Sequence, residues 1–272
     1  MAQATQVGGH RTGIAATTRK DLWWVSPVAV LLGLSVFIVY ATWAALQAAH
    51  YYTGPYLSPF YSPVLFTDTS AAGHAPIGHA WFGNWPSWWP SWLPASPAIL
   101  ILFFPGIFRF TCYYYRKAYY RAFAWSPPAC AVGAVPQRNY RGERGLLLFQ
   151  NVHRYTLYPA LLYIVILAYD AVTAFSYDGE IGIGVGSIVL TLNVFLLASY
   201  TFGCHSFRHL VGGGKDCFSC HGLRHATWKK VSILNGRHGM WAWFSLFWVG
   251  FADLYVRMVS MGIWQDLNTW SF

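Results

Sequence analysis

Charge is what this sequence has least of. Only 10% of its 272 residues are Asp, Glu, Lys or Arg, and just nine are acidic. A soluble domain covers its surface with roughly 25% charged residues, so a water-soluble fold is excluded. Between His50 and Pro94 there is no Lys or Arg at all. Residues 1–21 are polar, with Gly8, Gly9, Arg11, Arg19 and Lys20. They lack the apolar core and small-residue cleavage site of a signal peptide and read as a short tail on the cytoplasmic side.

What is present in excess is apolar: 56% hydrophobic and 19% aromatic residues. The apolar runs predict an all-α integral membrane bundle of five transmembrane helices with its amino terminus cytoplasmic, a single domain over residues 1–272. The expected spans are 22–49, 96–115, 146–172, 183–206 and 237–264. Each is long enough to approach the hydrocarbon thickness of about 30 Å at 1.5 Å per residue, and Pro159 is expected to kink the third. The segment from His50 to Pro94, broken by prolines and rich in Trp, reads as a loop along the outer interface. Its His50, His74 and His79 read as solvated.

The net charge of +9 would suggest nucleic acid if it formed one stripe. Instead, seventeen of eighteen Lys and Arg fall before the first expected span, from Arg109 to Arg154, or from Arg208 to Arg237. Five spans place those three stretches on one face, which the positive-inside rule makes cytoplasmic. The charge is therefore a topology signal, and nucleic-acid binding loses its support. Asp253 and Arg257, four apart in the fifth span, read as an ion pair on one helix face.

Three of the five cysteines and four of the ten histidines lie between Phe202 and His225. Phe202 to His209 and Phe218 to His225 both fit Phe-x-Cys-His-small-apolar-Arg-His. Cys and His at this density point to metal. On the reducing side of the membrane a structural disulfide is not expected, and Cys112 and Cys130, without neighbouring His, read as inert small residues.

Three metal chemistries fit the pattern. One Cys and one His from each copy, Cys204, His209, Cys220 and His225, would supply the two thiolates and two imidazoles of a Rieske-type [2Fe-2S] cluster. An intact helix rotates residues five apart by about 140°, so His205, Cys217 and His221 stand as substitutes. A haem b between two of His153, His205 and His238 is the second. The third is a membrane di-iron oxygenase or desaturase, using the i, i+4 pairs His205/His209 and His221/His225, although no His-x-x-His-His element completes it. His153, Arg154, Tyr155 and Arg208 are candidate hydrogen-bond donors to a quinone carbonyl.

The chain resembles the membrane-anchor, cytochrome b-type subunit of actinobacterial succinate dehydrogenase. The likeness rests on the five-span plan, Tyr56-Leu57-Ser58-Pro59-Phe60-Tyr61-Ser62-Pro63, Cys204-His205-Ser206-Phe207-Arg208-His209, Asp216-Cys217-Phe218-Ser219-Cys220 and the closing run from Val231 to Gly262. It implies a subunit in the bacterial cytoplasmic membrane that docks a flavoprotein and an iron-sulfur subunit through its basic face. Electrons would pass to a quinone, expected to be menaquinone, and the assembly can be oligomeric. Five-span anchors in general hold two haems b; histidine is sparse in the outer halves of these spans, which favours the cluster.

Overall fold

The computed structural model describes residues 13–68, 72–135 and 144–270, with side chains from Gln150 onward in the last stretch. Arg11, Arg138 and Arg141, used above for orientation, lie outside the described residues. Nine α-helices are described: α1 (Val25–Gln47), α2 (Pro97–Ile101), α3 (Phe103–Phe110), α4 (Tyr113–Ala118), α5 (Arg144–Thr173), α6 (Val185–Phe202), α7 (His205–Gly212), α8 (Gly222–Gly236) and α9 (His238–Ser260). Among them α1, the Gln150–Thr173 part of α5, α6 and α9 are long and apolar enough to cross a membrane.

The expected second span is not one helix, so the count of five long spans does not carry over. Pro105 has no N–H to give the carbonyl of Ile101, and the ladder breaks between α2 and α3. The Tyr163 hydroxyl donates to that carbonyl at 3.0 Å instead, keeping the freed acceptor satisfied. Leu102 stays helical (φ −65°, ψ −16°), so α2 and α3 together rise roughly 21 Å. Cys112 then turns extended (φ −63°, ψ 129°), and α4 leaves in a new direction.

Helix α6 is the centre of the bundle, packing on α5 and α9, with α3 against α5 and α1 against α9. Short helices α7 and α8 pack on each other beside the ends of α6 and α5. Gly203 makes that turn possible: a Cβ there would lie 2.7 Å from the Ser199 carbonyl oxygen and 3.2 Å from that of Leu234. Asn235 Nδ2 donates to the Gly203 carbonyl at 2.8 Å, tying α8 to the end of α6.

The segment after α1 is more than an interfacial loop. Tyr51, Tyr56 and Tyr61 are buried, and Tyr51 stacks on Tyr61 with ring centroids 4.2 Å apart. The Tyr61 hydroxyl donates to the Ala44 carbonyl left free at the end of α1 (2.6 Å). His74 has both ring nitrogens buried beside Tyr51, and His50 Nδ1 lies 3.4 Å from Ser260 Oγ, so of the three loop histidines only His79 is exposed. The Trp-rich part does face outward, with Trp88 and Trp92 exposed.

The Asp253–Arg257 pair forms, and it is fully buried. Arg257 Nε lies 3.6 Å from Asp253 Oδ2. Tyr40 donates to Asp253 Oδ2 at 2.6 Å and Ser58 to Oδ1 at 2.5 Å, while Arg257 Nη1 donates to the Ala49 carbonyl at 2.8 Å. The pair therefore pins α1 and the following segment to α9. Replacing Asp253 with Ala strands a buried guanidinium, with an expected loss of about 3–5 kcal/mol. Thermal unfolding of the detergent-solubilised complex checks this; the double variant Asp253→Leu/Arg257→Met, which strands no charge, should recover most of the loss.

Candidate metal centre

Three helix breaks and one helix interior meet at one end of the bundle. Cys112 sits at the extended break before α4 and Cys204 at the extended break before α7 (φ −65°, ψ 143°). His238 follows the break at Arg237 (φ −114°, ψ 21°) and opens α9, and His153 lies inside α5. All four line one cavity of about 520 Å³, with Thr111, Gln150, His205 and Asn235 around them. Cys112, His153 and Cys204 are buried, at 3%, 6% and 2% exposure. The interior around them is a core of Phe108, Tyr115, Leu157 and Tyr200.

The side chains stand as two Cys–His pairs: His153 Nε2 is 2.9 Å from Cys204 Sγ, and Cys112 Sγ is 3.6 Å from His238 Nε2. The Thr111 hydroxyl donates to the Ile107 carbonyl at 2.7 Å, so its oxygen accepts from His153 Nδ1 at 3.0 Å. That hydrogen bond selects the tautomer with a free lone pair on Nε2, the state a ligating imidazole needs. The His153 ring stacks on Phe108 (4.4 Å, 11°) and the His238 ring on Tyr200 (4.9 Å, 10°). His238 Nδ1 is buried with no hydrogen-bond partner among the described residues, a cost that an uncommitted core histidine would carry for nothing.

Under these rings lies a cation. Arg109, in the apolar helix α3, donates to the Ala242 carbonyl at 3.2 Å, to Ser245 Oγ at 2.8 Å and to the Tyr115 hydroxyl at 3.1 Å. Its guanidinium sits 4.5 Å from the Tyr200 ring centre. Arg109 is half-buried, and a charge held within the bundle is costly unless it is hydrogen-bonded as this one is.

The four ligands nominated by the doubled motif are not gathered. Cys204 is in the cavity, but His209 Nε2 faces His205 Nε2 at 3.0 Å on α7. His225 packs against Phe218 and Trp228 on α8. Cys220 is exposed and joined to Cys217 by a disulfide, Cα atoms 5.5 Å apart. The expectation of no disulfide is thus corrected: the Cys-x-x-Cys spacing closes a tight turn that brings the sulfurs together. His221 is exposed. His205 lines the cavity rim, and of the haem candidates His153 and His238 stand at the centre. The quinone set is dispersed: Tyr155 is exposed, Arg208 donates to Ser232 Oγ at 2.9 Å and covers Trp228, and Arg154 lines a groove with His205 and His209.

Cys112, Arg109 and Thr111 are the residues that sequence reasoning passed over. Cys112 has no His near it in the chain, and only the fold supplies His238 as its neighbour. Arg109 carried a usable signal, a cation inside the apolar run from Phe103 to Phe110.

A bundle with four helices long and apolar enough to cross a membrane, and two Cys–His pairs gathered at one end, defines the class of multi-pass membrane proteins. Comparisons with known proteins are specific. The family described as "Actinobacterial succinate dehydrogenase subunit SdhC" matches residues 25–262, and the chain belongs to that family. No curated protein gives a significant match. A chain of the solved "Mycobacterium smegmatis Sdh1 complex in the apo form" is 42% identical, covers 94% of each chain and superposes with a TM-score of 0.83. This chain is therefore a membrane-anchor subunit of an actinobacterial succinate dehydrogenase, working with the other subunits of that complex.

Thiol labelling separates the cysteines. Denatured without reductant, Cys112, Cys130 and Cys204 are expected to alkylate, and Cys217 and Cys220 only after reduction. Peptide mass spectrometry reads the difference, and labelling of all five without reductant would remove the disulfide.

Proposed function

We propose that this subunit passes electrons from the iron-sulfur subunit of succinate dehydrogenase to quinone, with a Rieske-type [2Fe-2S] cluster held by Cys112, Cys204, His153 and His238. The observation that carries this is the meeting of two buried thiols, the buried His153 imidazole and the half-buried His238 imidazole, drawn from four separate chain positions, in one cavity. Among the described residues no three His, Cys, Asp or Glu side chains close on a single ion. Two thiols and two imidazoles match the donor set of a Rieske-type dinuclear group, which takes two thiolates at one iron and two imidazoles at the other, so the members of each Cys–His pair would serve different irons. When bound, such a cluster exchanges one electron at a time at a potential of about −150 to +300 mV.

The chain's own residues prepare the site. Thr111 holds His153 in its ligating tautomer, and Phe108 and Tyr200 fix the ring planes. Arg109 places a positive charge below the rings, favouring the more negative, reduced state. The quinone is assigned to the groove lined by Gln150, Arg154, Leu157, Tyr158, His205 and His209, which shares Gln150, His205 and Ser206 with the Cys–His cavity. Arg154 there donates to a quinone carbonyl, and the exposed His209 is open to water for proton supply. By the positive-inside rule the site end of the bundle is cytoplasmic, which is where the iron-sulfur partner docks, and menaquinone is the quinone expected.

A haem b ligated by His153 and His238 leaves both buried thiols unused, and its test is direct. Iron and acid-labile sulfide in the purified complex should exceed the partner subunit's clusters by about two atoms of each, with a Rieske-like EPR signal and no haem b absorption. Cys112→Ser and Cys204→Ser should each abolish that signal, while Cys220→Ser leaves it intact. A bis-imidazole haem band with no extra sulfide would overturn the assignment. At the groove, Arg154→Ala should raise the KM for quinone about tenfold, the worth of one charged hydrogen bond, with the EPR signal unchanged.

A further inference from the structure

A second cavity lies at the same end of the bundle, between α1, α4 and the start of α9. Its volume is about 470 Å³. One wall is the segment before α1, which docks on the chain after α4: Ala15 N donates to the Gly133 carbonyl at 3.0 Å, Gly133 N to the Ala16 carbonyl at 2.8 Å, and Thr17 Oγ1 to the Ala131 carbonyl at 2.7 Å. Arg19 completes that wall, donating to Asp21 Oδ1 at 2.7 Å and to the Cys130 carbonyl at 2.8 Å. Arg19 and Asp21 neutralise each other. The other two basic residues in the lining are Lys117 and Arg121; among the described residues neither has a carboxylate salt-bridge partner, Arg121 interacts with Tyr120 and Cys130, and its Nε is buried without a hydrogen-bond partner.

The depth of the cavity is apolar and aromatic. Pro27 and Val30 of α1 and Trp243 of α9 line it, and Trp243 Nε1 donates to the Tyr114 hydroxyl at 3.2 Å. Trp23, at the mouth, packs edge-on against Trp125 (6.4 Å). Trp and Tyr at this level mark the headgroup layer, and Pro27 and Val30 belong to the first turns of a membrane-spanning helix. Two cations beyond the Arg19–Asp21 pair and an apolar lining of Pro27, Val30 and Trp243 match the two halves of one molecule, a phosphate headgroup and an acyl chain.

We propose that this cavity is a specific site for an anionic phospholipid, its phosphodiester held by Lys117 and Arg121 and one acyl chain lying along Val30 and Trp243. The occupied site would clamp the amino-terminal segment and the chain after α4 to α1, independently of the metal centre and of quinone.

The test uses the purified complex with its partner subunits, delipidated in detergent, with thermal unfolding as the readout. Phosphatidylglycerol should raise the unfolding temperature, whereas phosphatidylcholine and inorganic phosphate at equal concentration should not. Arg121→Gln should shift the half-saturating phosphatidylglycerol concentration about fivefold upward, and Lys117→Gln/Arg121→Gln about 25-fold, at one cation's surface attraction each. Lipid extraction of the untreated wild-type complex should recover a stoichiometric anionic phospholipid by mass spectrometry, which keeps the test decisive if a variant misfolds. Equal stabilisation by phosphate would reassign the site to free anions. No anionic lipid in the extract, or a crosslink from Lys117 to the iron-sulfur partner in the lipid-replete complex, would overturn the proposal.

Discussion

In a hydrocarbon layer every backbone N–H and C=O must find a partner inside the protein, and this constraint explains where the chemistry of this subunit sits. Helices satisfy the rule while they run; wherever one stops, donors and acceptors are released. The structure answers each break locally: Tyr163 takes the Ile101 carbonyl freed by Pro105, Tyr61 takes that of Ala44, and Asn235 takes that of Gly203. The bundle end where α3, α6 and α9 break also gathers side chains from chain positions far apart. Cys112, Cys204 and His238 all stand at such breaks, and His153 reaches them from within α5.

The same rule governs the far end. Segment 50–66 does not lie on the surface because its tyrosines, Ser58 and Ser62 are needed inside, against Ala44, Asp253 and Asp170. Asp253 and Arg257 could be seen in the sequence as partners because their spacing is helical. What spacing does not reveal is that Tyr40 of α1 and Ser58 complete the carboxylate's shell, turning a two-residue pair into the tie between α1, the loop and α9.

The class of fold and the family could be read from composition, charge distribution and the Cys-His motifs; which Cys and His meet in one cavity could not. Repetition in a sequence reports similar local chemistry, and two copies of Phe-x-Cys-His-small-apolar-Arg-His invited a symmetrical site. The copies have different surroundings: the first ends a buried bundle helix, so Cys204 is sealed in the core, whereas the second opens α8 in an exposed turn where Cys220 finds Cys217. Periodicity also overstated the second span, because apolar composition cannot register that one proline and one extended cysteine divide it. Cys112 was invisible for a related reason, since its partner His238 is more than a hundred residues away and meets it only when α4 folds across the start of α9.

Drawing the site from four chain positions has an electrostatic consequence. A site made from one loop would lie in water, where nearby charges are screened and count for little. Here Cys112, Cys204 and His153 are sealed among Phe108, Tyr115, Leu157 and Tyr200, and Arg109 lies over the Tyr200 ring, which stacks on His238. In that setting one guanidinium, held by Ala242, Ser245 and Tyr115, would act on the proposed redox group with far more leverage than the Lys and Arg of the surface. The basic face and the half-buried Arg109 are therefore suited to different work: the first to docking a partner, and the second, under the proposed function, to biasing an electron at the site.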